Sequence, residues 1–289
     1  MLTLETILYL PVPYLPACSR ESGEQAAQII GQLMGQELAK ATAQLEPSQV
    51  AANLAVSTIS GLPFATGWLQ WRDIVQAAAQ YTRHPPQNFT ASYECAGWGF
   101  ALEYALRRAK PGQYVVLQVV DINLLDVSFW RASPQWGKSG FGISTVVWKV
   151  PENGDYALQV DASKSSYHMG EFCVALRKWM AASPLPFANV PFLPEDMIGI
   201  YANFLDGKRL MPDLHAGYGH CFGSDTWISY LTFLQSGLLQ PGGDYIATSA
   251  SLRGFWTIAD VHLAENGLFA FSTPHTFDSE ANSQDEVRP

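Results

Sequence analysis

The sequence predicts an α/β protein in two similar halves, each a mixed β-sheet covered by helices. Apolar strand-like runs alternate with helix-length segments along the chain, the pattern of sheets layered with helices. Three blocks also occur twice in the same order. "LEPSQVAANLAVSTISG" around Pro47 is matched by "FLPEDMIGIYANFLDG" around Pro194, both read as a helix-ending proline, a short strand and a loop closing on glycine. "NFTASYECAGWGFALEYALRRAKPGQYVVLQVV" is matched by "LHAGYGHCFGSDTWISYLTFLQSGLLQPGGDYIATSA", each giving strand, small residues, helix, Pro-Gly and strand. "GFGISTVVWKVPENGDYAL" and "GFWTIADVHLAENGLFAF" both open on Gly-Phe, run through a strand and turn at Glu-Asn-Gly.

Each half opens on a strand, "TLETILYL" in the first and "DYALQVDA" in the second. Helices follow at about residues 24–43 and 170–182, the first with Ile29, Ile30, Leu33, Met34 and Leu38 in helical spacing. The halves are then residues 1–154 and 155–275, with a polar, acidic tail at 276–289 expected to be disordered. Two such halves pack around a shared core and a pseudo-twofold axis.

Composition narrows the function. With 289 residues, 48% hydrophobic and 15% charged, the chain can bury a large core. A net charge of -9 argues against nucleic acid, whose binding needs a basic face. No apolar run reaches the roughly 18 residues of a membrane helix, and the start lacks a basic segment, so neither membrane nor signal peptide is expected. Cys18, Cys95, Cys173 and Cys221 have neither zinc spacing nor a disulfide pattern, so no metal is expected and a reducing cytoplasm fits.

Two residues carry the chemistry. A buried cysteine is ordinary by itself, but Cys95 stands where a strand hands over to a helix, whose unpaired N–H groups and dipole favour a thiolate. Ala96 and Gly97 leave room for a substrate, while a carboxylate at Glu94 opposes ionisation unless it points away. His220, in the glycine-rich "GYGHCFGSDTW", occupies the corresponding place in the second half, so symmetry brings it to Cys95 across the boundary. A neutral imidazole there accepts the thiol proton or hydrogen-bonds a thioester carbonyl.

These residues resemble the thiolase-like superfamily, most closely β-ketoacyl-ACP synthase III. "NFTASYECAGWGFALEYAL" is similar to its nucleophile segment, "GYGHCFGSDTW" to its second active-site segment, and "GLLQPGGDYIATSASLRGFWTIADVHL" to its closing strands. The Gly-His-x-x-Gly form is nearer to elongating ketosynthases and thiolases, because synthase III enzymes usually have Asn at that position. The resemblance implies a duplicated α-β-α-β-α layered sandwich and an acyl group carried on Cys95 from a CoA or carrier-protein thioester. By position, the N–H of Cys95 and one from the Gly254-Phe255 loop would form the oxyanion hole, with His220 polarising a carbonyl or acting as base. A further family histidine is replaced by Ile200 in "GIYANF", so half of the device that holds a decarboxylation enolate is missing; Asn203, Tyr201 or Tyr218 are candidates to stand in. The loop "PVPYLPACSRES" and the connection before "LHAGYGH" are trimmed.

The resemblance also implies an acyl carrier protein or CoA thioester as partner, no resident cofactor, and a homodimer or a heterodimer with another ketosynthase-like subunit. "FTASY" is expected as the central strand of the first half, which in relatives pairs across the dimer axis. An acidic carrier protein needs a local basic patch, for which Arg107, Arg108 and Lys110 are candidates, with Arg177 and Lys178 or Lys208 and Arg209 as alternatives; capping and solvation explain these charges equally well. The leading function is a Cys-dependent acyltransferase or condensing enzyme of fatty-acid, polyketide or specialised metabolism. A non-catalytic partner subunit of a heterodimeric synthase is the alternative, and a Cys hydrolase the third reading.

Overall fold

The computed structural model describes residues 1–15 and 20–273; the 276–289 tail lies outside the described residues. The first half supplies strands β1 (Leu2–Pro11), β2 (Val50–Val56), β3 (Asn88–Thr90), β4 (Tyr114–Asp121) and β7 (Gly142–Lys149). They lie in the order β3-β2-β4-β7-β1, with β7 antiparallel to both of its neighbours. A two-stranded ribbon, β5 (Ala132–Ser133) and β6 (Gly137–Lys138), stands off this sheet. The second half supplies β8 (Leu158–Ala162), β9 (Asp244–Ala250) and β10 (Phe255–Phe271), with β10 antiparallel to β8 and β9. β10 also runs parallel to β1, joining the two halves edge to edge.

Helices form where caps and periodicity place them. α1 (Gly23–Ala41) starts at Ser22, whose Oγ accepts the Gln25 N–H at 3.3 Å, and buries Ile30, Leu33, Met34 and Leu38 on one face. α1 and α2 (Trp71–Ala78) pack together, with α1 over β1 and β7. α3 (Gly97–Leu106) and α6 (Asp225–Ser236) lie between the sheets, α3 against β2, β4, β8 and β10, and α6 against β1, β9 and β10. α4 (His168–Ala182) covers β10 from outside and meets α5 (Glu195–Phe204). The layers are therefore α-β-α-β-α. The central layer holds Trp98, Trp148 and Trp227, none of them exposed, with ring centroids 5.0–6.0 Å apart.

The second half departs from the expected repeat. The stretch after Pro194 is helix α5, not a strand: it follows proline, carries Glu195 in its first turn, and spaces Ile198, Tyr201 and Leu205 three and four apart. The strand positions beside β9 shrink to isolated bridges, Ala188 with Ile246 and Ala188 with Leu210. Pro184, Pro186, Pro191 and Pro194 deny this stretch ladder donors. The Asn189 side chain makes up part of the loss, accepting the Thr248 N–H at 2.7 Å and donating to Thr248 O at 2.9 Å. Two smaller corrections follow from the ladders. The "FTASY" segment gives β3, a three-residue edge strand and not the central one. Glu265-Asn266-Gly267 does not end a strand but bulges within β10, opposite Glu5.

Trp227 fills the centre of the middle layer. Trp227→Ala is expected to cost about 3–5 kcal/mol of stability, read from the urea midpoint; a loss under about 1 kcal/mol would contradict this packing.

Candidate active site

Cys95 sits in a single 3-10 turn, Glu94–Ala96, that runs straight into α3. Glu94 takes a left-handed φ of 48°, which turns the chain sharply before the cysteine. Its carboxylate points away to Arg253, 2.9 Å from Nε. The second half repeats this build: the turn Phe222–Ser224 leads into α6, and Phe222 has φ 56°. The structural counterpart of Cys95 is thus Gly223, and His220 lies three residues earlier than the sequence repeat placed it. Gly223 is needed where the two turns touch, since a Cβ there would lie 2.8 Å from Val119 Cγ1 and 3.5 Å from Cys95 O.

His220 nevertheless reaches Cys95, with Nε2 3.6 Å from Sγ. Its backbone is clamped by the strand edge after β6, donating to Lys138 O at 2.9 Å and accepting from Gly140 N at 3.0 Å. Both residues are only 6% exposed. Ile59, Trp136 and Phe222 pack with Cys95, flanked by Trp130 and Phe141, and the Phe222 ring lies 5.0 Å from the imidazole. The Cys95 turn is held from the second half by Ser249 Oγ on Cys95 O (2.5 Å) and Thr257 Oγ1 on Ala96 O (3.2 Å).

Two buried carboxylates flank the pair, and sequence reasoning missed both. Asp225, the first residue of α6, accepts from Cys221 N at 2.6 Å and Phe192 N at 3.0 Å. Its Oδ2 lies 2.8 Å from His220 Nδ1, a charge contact bent away from a linear hydrogen bond. Asp121, at the end of β4, accepts from Thr58 N (2.6 Å), Ser57 Oγ (3.1 Å) and Gly223 N (3.1 Å). The available signal was a lone acid ending the apolar "YVVLQVVD" and another opening the apolar helix "DTWISYLTFL".

Burial pushes the Cys95 thiol above its ordinary value, with His220 opposing the rise. Burial works to lower the His220 pKa, but the charge of Asp225, with Cys95 contributing, outweighs it and holds the imidazole well above its usual value. For Asp121, burial outweighs the hydrogen bonds it accepts and pushes the carboxyl up to about 6.

The remaining sequence candidates lie elsewhere or are engaged. The Gly254 N–H donates to Ser251 O at 3.0 Å and the Phe255 N–H to Ser251 Oγ at 3.1 Å, so neither is a free oxyanion donor as the resemblance implied. Asn203 is exposed on α5. Tyr218 accepts from Thr232 Oγ1 at 3.2 Å and stacks on Phe271, while the Tyr201 hydroxyl donates to Pro191 O at 3.0 Å. Arg107 pairs with Glu103 at 3.1 Å, Arg108 lies over the Tyr104 ring, and Lys110 is exposed. Arg209 is not free for a partner, because it caps the end of α4 through Met180 O and Ser183 O.

Solved structures share this architecture. The 3-oxoacyl-(acyl carrier protein) synthase III of Pseudomonas aeruginosa superposes with a TM-score of 0.59 at 13% identity, over 91% of this chain and 98% of that one. A 3-oxoacyl-(acyl carrier protein) synthase of Burkholderia xenovorans gives 0.63 at 13% identity, over 94% and 97%. The acyltransferase ChlB3 gives 0.64 at 13% identity, over 93% and 99%. The chain has a thiolase-like fold. No family model matches it, and no curated protein matches its sequence. Among the described residues, no helix is long and apolar enough to cross a membrane.

Asp121 binds its proton more tightly in the folded state than in the unfolded chain, where a carboxyl titrates near ~3.9. Its proton therefore favours folding below about pH 4, and this contribution is lost as pH rises through about 6. The stability difference between wild type and Asp121→Asn is expected to fall by about 2–3 kcal/mol across that window, measured by urea denaturation at stepped pH. A difference independent of pH would refute the buried, protonatable Asp121.

Proposed function

We propose that this chain is a Cys-dependent acyltransferase of the condensing-enzyme type, taking acyl groups from CoA or carrier-protein thioesters. The observation that carries this is the buried approach of Cys95 Sγ to His220 Nε2 where the two halves meet. The Cys95 thiolate attacks the thioester carbonyl carbon, the bond to the pantetheine sulfur breaks, and the leaving thiolate takes a proton from His220. An acyl-Cys95 and a neutral imidazole result. The acceptor then attacks the acyl-enzyme, passes its proton to His220 and frees the Cys95 thiolate. The aromatic wall of Trp136, Phe222, Trp130 and Phe141 suits an apolar acyl group and keeps water from the thioester.

Transfer is favoured over decarboxylative condensation. Asn203 is exposed on α5, and Tyr218 packs on Phe271 while its hydroxyl accepts from Thr232 Oγ1, so of these candidate second polar groups for an enolate one faces solvent and the other packs against Phe271 and Thr232. The donor sets the partners: CoA itself or an acyl carrier protein, with a second ketosynthase-like subunit or a second copy completing a dimer.

Mixing the protein with a panel of acyl-CoA and acyl-carrier thioesters should add the acyl mass to the intact chain. The gain should be absent in Cys95→Ala and slowed about 10²–10⁴-fold in His220→Ala. No adduct from any donor, with a partner subunit supplied, would leave the non-catalytic subunit as the reading. Products that form without a malonyl thioester support transfer.

A further inference from the structure

We propose that Asp225 is a positioning residue whose ionic contact with the Nδ1 side of His220 keeps Nε2 toward Cys95, making a three-residue Cys-His-Asp relay across the two halves. This rests on the acyl-transfer reading of Cys95 and His220 and names the group that sets the histidine's charge and tautomer.

The geometry is one-sided. His220 has two ring nitrogens; Nε2 is 3.6 Å from the Cys95 sulfur and Nδ1 is 2.8 Å from Asp225 Oδ2. Asp225 cannot swing away easily, because it also holds the Cys221 N–H at 2.6 Å and the Phe192 N–H at 3.0 Å, and it is 2% exposed. It opens α6, where the unpaired N–H groups of the first turn favour a negative charge. A fixed carboxylate on one ring nitrogen makes an imidazolium the favoured form, and an imidazolium on the other nitrogen stabilises a thiolate. The same proton then serves the leaving thiolate of the thioester.

The other charged groups near His220 are committed elsewhere. Asp121 is bound by Thr58, Ser57 and Gly223, and Glu94 is paired with Arg253. His215 Nε2 contacts Trp136 O at 2.7 Å, and the Lys138 ammonium donates to Ala216 O at 3.0 Å. Cys221 sends its thiol to the carbonyls of Tyr218 and Gly219. That leaves Asp225 as the ionic partner of the ring.

The test is the rate of Cys95 alkylation by iodoacetamide against pH, followed by peptide mass, which needs no acyl donor and so stands apart from the test of acyl transfer. Asp225→Asn should slow alkylation at pH 7 about tenfold and move the profile about one pH unit upward. His220→Ala should do the same, and Asp225→Asn added to His220→Ala should change nothing further. A profile unmoved by Asp225→Asn, or an equal loss with and without His220, would reduce Asp225 to a purely structural tie between Phe192 and Cys221. Should Asp225→Asn not fold, ¹⁵N-histidine spectra of the wild type decide: a doubly protonated His220 at pH 7 supports the relay, and a neutral ring bearing its proton on Nε2 overturns it.

Discussion

Everything at the centre of this molecule depends on two backbone turns touching. One turn, Glu94–Ala96, belongs to the first half and the other, Phe222–Ser224, to the second. Each begins with a residue in left-handed conformation and each feeds a helix of the middle layer. The contact is possible because Gly223 has no side chain, and it is fixed because the Gly223 N–H binds Asp121 at the end of β4. A polar group buried in such a place must be paired. The carboxylate therefore does for the halves what a ladder does for strands.

The two buried carboxylates stand in contrasting surroundings. Asp121 accepts its hydrogen bonds from the uncharged Ser57, Thr58 and Gly223, and desolvation pushes its pKa to about 6. Asp225 faces an imidazole and sits at a helix start, so its charge has a partner. Burial alone would favour the neutral forms of both Cys95 and His220. Around His220 the nearby carboxylate outweighs desolvation; around Cys95 desolvation outweighs the imidazole. The site is thus a thiol beside a cation, and the charge that forms when the thiol ionises is paired with that cation.

The shortened second sheet shows how local chemistry edits a duplicated fold. Prolines at 184, 186, 191 and 194 remove donors from the stretch beside β9, and only isolated bridges remain. Asn189 replaces ladder bonds with side-chain ones, and α5 takes the place of a strand. The long β10 compensates at the other edge by pairing with β8, β9 and β1.

The opening strands, α1, α4 and the Pro-Gly connections were legible in the sequence, because turn chemistry and apolar spacing act over a few residues. It also singled out Cys95, whose strand-to-helix turn leaves a local trace of small neighbours, and His220 in its glycine-rich segment, which the fold brings within 3.6 Å of each other. It misread the Pro194 segment by trusting the repeat over its own three-and-four spacing, and it made β3 central although only β2 pairs with it. That Gly223, not His220, is the counterpart of Cys95 became visible only in the fold. Only it showed the Gly254 and Phe255 N–H groups already engaged, and the two carboxylates converging on the pair. Those outcomes depend on groups up to 130 positions apart in the chain (Cys95 to Asp225). No local pattern encodes such a meeting; it follows from packing two sheets on one helical layer.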